Sequence, residues 1–81
     1  MELKETVELM NSNDYKERFK AEYYQTKIRY NKLHNMIIKY EANALEFELN
    51  CDIEIYKKQA KAMGEYLYCL EIRAVVEKIV L

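Results

Sequence analysis

Between Asp14 and Gln25 the chain interleaves the aromatic residues Tyr15, Phe19, Tyr23 and Tyr24 with the basic residues Lys16, Arg18 and Lys20. Aromatic faces stack on bases and neighbouring cations pair with phosphate oxygens, so this segment holds the parts of a nucleotide-binding surface. The same residues admit a plainer reading, in which Phe19 and Tyr23 are core and the basic side chains form a solvated face. Catalytic chemistry has thinner support. His34 is the only histidine, and no adjacent cysteine or carboxylate stands at ligand spacing. No Gly-rich phosphate loop or nucleophile elbow occurs, and the carboxylates single out no acid and base pair. The expectation is a binding protein that is not an enzyme and uses no cofactor or metal.

Two further residue types bear on chemistry. Cys51 and Cys69 lie 18 positions apart, about 27 Å if both are on one helix, too far to bridge within it. They are expected to be reduced packing residues in a reducing compartment. Gly64, the only glycine, falls inside a helical pattern where it costs about 1 kcal/mol relative to alanine. It is either tolerated there or marks the close approach of a neighbouring helix or ligand.

The elements that position these residues read as all-α. A short helix is expected over 2–10, too short to stand alone in water and so in need of a docking surface. Asn11-Ser12-Asn13-Asp14 supplies capping groups, and Asp14 with Glu17 has capping-box spacing. A long helix over 14–41 carries the seam Phe19, Tyr23, Thr26, Tyr30, Leu33, Ile37 and Tyr40, alternating steps of four and three. Tyr24, Ile28, Met36 and Ile38 lie off this stripe, so the apolar face is wider than one partner helix covers. The period is lost between Glu41 and Asn50. Leu45, Phe47 and Leu49 alternate there with acids, but a lone strand would have no partner, so a loop pinned by Phe47 is expected. Asp52 caps a last long helix over 52–79, with the seam Tyr56, Ala60, Met63, Leu67, Leu70 and Ala74 and a second stripe of Tyr66, Ile72, Val76 and Ile79. The fold is therefore a short helix followed by an antiparallel two-helix hairpin, one domain spanning 1–81, which oligomerises through its surplus apolar faces.

A net charge of -1 gives no bulk attraction to polyanions, which argues against coating DNA or anionic membranes. No stretch approaches the roughly 18 apolar residues of a membrane span, and the opening Met1-Glu2-Leu3-Lys4-Glu5 is not a secretion signal. A cytoplasmic location is expected.

Glu17-Arg18-Phe19, Ala21-Glu22-Tyr23, Arg29, Leu33, Gln59, Met63, Tyr66, Leu70 and Arg73 form a spaced pattern that resembles the helical-hairpin family of phage anti-CBASS cyclic-oligonucleotide sponges. A related hairpin occurs in phage proteins that sequester the cyclic ADP-ribose signal of Thoeris defence. The likeness spans about Asp14 to Ala74. It implies a hexamer without catalytic activity whose inter-subunit pockets hold cyclic dinucleotides and, separately, cyclic trinucleotides, keeping the host's signal from its effector. By position, Tyr23 matches the tyrosine that stacks on a base, and Arg18 and Arg29 fit the arginines that frame it. The family's phosphate-facing lysine falls close to Ile38, which makes Lys39 its substitute, and Arg73 matches an arginine late in the last helix. The expected ligand-binding set is Tyr23, Arg18, Phe19, Lys20, Arg29, Lys39 and Arg73. The extension Met1 to Asn13 and the tyrosine-rich second helix depart from the family pattern. Two other functions fit the residues: a helical module that inhibits a host protein through its Tyr- and Met-bearing surface, and a structural assembly subunit.

Overall fold

The computed structural model describes all 81 residues, and its regular elements are all helical, with no strand. A 3-10 turn over Leu3–Glu5 runs into α1, Thr6–Met10; α2 spans Tyr15–Glu41 and α3 spans Ile53–Val76. The molecule measures 43 × 25 × 17 Å. Its long dimension matches the roughly 40 Å that the 27 residues of α2 require at about 1.5 Å each.

Each long helix begins on an aspartate. The Asp14 carboxylate accepts from the Lys16 amide at 2.9 Å, and the Asp52 carboxylate does the same for Glu54 at 2.9 Å, satisfying amides that have no partner inside the helix. The expected box between Asp14 and Glu17 takes another form: the Asp14 amide donates to the Ser12 hydroxyl at 3.0 Å, so Ser12 fills the place read for Glu17.

Both long helices end in the same motif. Asn43 and Lys78 each adopt φ 58, the left-handed conformation that closes a helix, and the residue after each donates six-to-one: Ala44 to the Lys39 carbonyl and Ile79 to the Ala74 carbonyl, both at 2.8 Å. This corrects the last helix, expected to run to 79. It stops at Val76, because the turn at Lys78 folds Ile79 back onto Ala74, and Ile79 joins the core instead of extending an outer stripe.

Eight residues are buried, too few for a core more than one seam deep. Phe19, Tyr23, Leu67, Leu70, Ala74 and Ile79 form one cluster, with Tyr24 and Tyr30 packed against it. The seam thins toward the turn, where Leu33, Ile37 and Tyr56 are half-buried and Tyr40 is exposed. The N-terminal segment packs on α2 and not on α3. Thr6 is its anchor: fully buried, it donates to the Leu3 carbonyl at 2.6 Å and accepts from Gln25 Nε2 at 3.0 Å. Of the surplus apolar width of α2, Tyr24 is half-buried against the core cluster and Ile28 is half-buried beside Met1 and Leu3 of the N-terminal segment. The surplus on α3 has no such cover.

Candidate functional site

The side chains singled out in the sequence separate into two groups along α2. Arg18, Phe19, Lys20 and Tyr23 lie at its start and Lys39 in its last turn, about 30 Å away at helical rise. Arg73 of α3 joins the first group, with its guanidinium 5.0 Å from the Phe19 ring centroid. Arg29 stands between the groups, exposed and without a carboxylate in ion-pair range.

Within the first group the aromatic rings are engaged by the fold. Phe19 is 2% exposed and Tyr23 7%. The Tyr23 hydroxyl donates to Glu71 Oε2 at 2.7 Å, and its ring meets Tyr24 edge-on at 5.2 Å. Burial, then the hydrogen bond and charge of Glu71, push the Tyr23 phenol up to about 12, so it stays protonated across the physiological range. Arg18 donates to the Ser12 carbonyl at 2.9 Å, which ties the N-terminal connection to α2. Lys20 is half-buried and has no carboxylate partner.

Arg73 belongs to a closed triangle that the sequence did not announce. Its Nε donates to Glu77 Oε2 at 3.1 Å and its Nη2 to the Tyr15 hydroxyl at 2.8 Å; that hydroxyl donates to Glu77 Oε1 at 2.8 Å. The Tyr15 hydrogen bond holds the Glu77 carboxyl below the usual range; desolvation opposes it, and the hydrogen bond and charge of Arg73 add to the lowering. Residues 58 to 62 positions apart thereby join the start of α2 to the end of α3.

The second group surrounds the turn. Lys39 lines an open hollow of about 380 Å³ with Lys32, Asn35, Met36, Leu45 and Phe47. Lys32 and Phe47 were missed as candidates, although their signal was available: Lys32, Asn35, Met36 and Lys39 fall at i, i+3, i+4 and i+7 on one helical face. What could not be read was that the loop returns over that face.

His34 stacks parallel to Tyr30 at 5.7 Å, as a helix-surface residue. No group of three His, Cys, Asp or Glu side chains is placed to hold a metal ion. Cys51 and Cys69 are free and exposed, so the packing role expected of them is corrected: Cys51 lies in the turn and Cys69 on the outer face of α3. No helix is long and apolar enough to cross a membrane.

Fold and surface define a class of small helical hairpin with unpaired cations beside accessible aromatic and apolar groups. The chain belongs to the Sequestin family, whose model matches residues 13–76. The family name denotes sequestration, that is, binding, and the match covers nearly the stretch on which the resemblance to cyclic-oligonucleotide sponges rests. No curated protein and no solved structure matches the chain.

Proposed function

We propose that the protein binds and holds cyclic oligonucleotide second messengers, cyclic di- or trinucleotides, without cleaving them, and so acts in phage-type evasion of host immunity in the host cytoplasm. Membership of the Sequestin family over residues 13–76 carries this reading. The surface supports it. Lys20, Arg29, Lys32 and Lys39 have no carboxylate partner and are free to meet phosphates. For Tyr23 to stack on a base, its ring has to leave the cluster it forms with Leu67 and Leu70; its core role and its ligand role therefore compete.

The working unit is a homo-oligomer of single-domain chains, a hexamer by resemblance. In its favour, α3 exposes apolar side chains beyond the seam, including Tyr68, Ile72 and Val75, the last 80% exposed, and such surfaces are usually covered in soluble proteins. The same face would also serve a protein-inhibiting module.

Thermal shift against a panel of cyclic di- and trinucleotides together with cyclic ADP-ribose tests the function. A bound member at 100 times its dissociation constant stabilises the fold by about 2.7 kcal/mol, and heat denaturation should then release it intact on chromatography. Stabilisation by cyclic ADP-ribose alone would keep sequestration and replace the ligand class. A flat response across the panel, or a linearised product, overturns the reading.

A further inference from the structure

The hollow at the turn combines three features that the fold leaves unused. Its floor is Met36, half-buried on α2 between Lys32, Asn35 and Lys39. Its wall is the returning loop, with Leu45 half-buried and the Phe47 ring 62% exposed. Its cations are uncommitted, because neither Lys32 nor Lys39 has a carboxylate within 4 Å, whereas Lys57 nearby is paired with both Glu41 and Glu54. Lys39, in the last turn of α2, is accounted for in part by the negative end of the helix dipole. Lys32, about two turns earlier, is not.

The charge around Leu45 and Phe47 is polarised. The same two residues also line a second open hollow with Glu41, Glu48 and Asp52, so an anion finds attraction in the lysine hollow and repulsion in the acidic one. An aromatic ring left largely in water beside two unpaired lysines and an amide presents a π-face for a base and donors for phosphate oxygens. The volume, about 380 Å³, falls within the range of small-molecule sites.

We infer that this hollow is a nucleotide site: the Phe47 ring stacks on the base, Lys32 and Lys39 hold the phosphate oxygens, and Asn35 donates to or accepts from the polar edge between them. The inference rests on the proposed function for the kind of ligand and locates its site at the turn, away from the Tyr23 end of the hairpin.

The test is amide-resolved NMR on the full chain, titrated with cyclic di-AMP and, separately, with inorganic pyrophosphate, which has no base. Both probes should shift amides of residues 32–39 and 45–47. Phe47→Ala should weaken cyclic di-AMP binding roughly 5- to 150-fold while pyrophosphate binding is retained, and Lys32→Ala/Lys39→Ala should lose both probes. All these side chains except Met36 and Leu45 are exposed, and unchanged spectra elsewhere will verify that the variants fold. Pyrophosphate shifts at these residues without any cyclic di-AMP binding would support the phosphate half of the site and count against the proposed function. Cyclic di-AMP binding that maps elsewhere, or survives the double substitution, would overturn the site and leave the function standing. Silence toward both probes at these residues would overturn the site.

Discussion

Tyr15 and Glu77, 62 positions apart, share a 2.8 Å hydrogen bond at the open end of the hairpin, and Arg73 donates to both of them. Three exposed or half-buried groups thus form a closed ring of donors and acceptors, each with its partner fixed by another.

Tyr15→Phe deletes the shared hydroxyl, and with it two of the three bonds, so it should lower the Tm. The effect should depend on pH. Glu77 binds its proton less readily folded than unfolded, so its stabilisation is present above the ordinary glutamate pKa of about 4.3 and is lost as pH falls through the depressed folded value. Melting curves between pH 7 and 3 should show wild type losing its advantage over Glu77→Gln as acid is added. A difference that is constant with pH would mean that Glu77 stabilises in some way other than as a carboxylate.

Truncation at Tyr23 separates core from ligand. With the ring 7% exposed, Tyr23→Ala should destabilise the fold by about 3–5 kcal/mol. Tyr23→Phe keeps the packing and loses one hydrogen bond to the exposed Glu71, about 0.5–1.5 kcal/mol. Tyr23→Phe keeps the ring face and should bind nearly as before under either role, so a Tyr23→Ala that melts early with no independent binding defect returns the residue to the core. Selective loss of binding in a stable Tyr23→Ala would instead establish the stacking role.

The Tyr23 phenol also makes an alkaline prediction. Its pKa is raised to about 12, so the stability it contributes is complete below the unfolded value of about 10 and is lost as pH climbs through 12. Ultraviolet titration should find a tyrosine ionisation step near pH 12, and Tyr23→Phe should remove that step.

Gly64 faces Tyr30 across the hairpin, and a Cβ added there would meet the ring at 3.5 Å, an ordinary contact. Gly64→Ala should therefore raise stability by about 0.5–1 kcal/mol through helix propensity. A fall in Tm, or a loss of assembly with the fold intact, would show that another chain or a ligand needs the bare backbone.

Sedimentation equilibrium at micromolar concentration should give a multiple of 9.8 kDa, set by contacts through the outer face of α3. A sharp monomer mass would remove any pocket formed between subunits. Val75→Lys should shift the distribution toward smaller species, since it places a charge at the most exposed position among Ile72, Val75 and Val76.

The seam was legible because heptad spacing depends only on helical geometry, and Phe19, Tyr23, Leu67, Leu70 and Ala74 are buried on it. The pattern could not show that the same stripe fades toward Tyr40, since burial there depends on which segments close over each end. Ile79 does so at one end, through a left-handed Lys78. The matching turn at Asn43 is easier to read, because asparagine tolerates that conformation and lysine does not advertise it. The docking of Thr6 against Gln25, the Tyr15, Arg73 and Glu77 triangle, and the return of Phe47 over Lys32 and Lys39 are tertiary meetings that no local period encodes.

The crowding of the core at the open end also sets how the chain must fold. Pairs that lock the hairpin, such as Tyr23 with Glu71 and Tyr15 with Glu77, lie 48 and 62 positions apart, whereas no residue between Tyr24 and Tyr66 is buried. Zippering outward from the turn gains little, and the entropy of closing a loop of about fifty residues has to be met before the main cluster forms. The transition state should accordingly depend on Phe19 and Leu70 meeting early, with φ-values at Leu33 and Ile37 near zero. In the native state the amides around Tyr40 and Tyr56 should exchange with solvent well before those around Tyr23 and Leu70, so the end that carries the lysine hollow is the end that breathes.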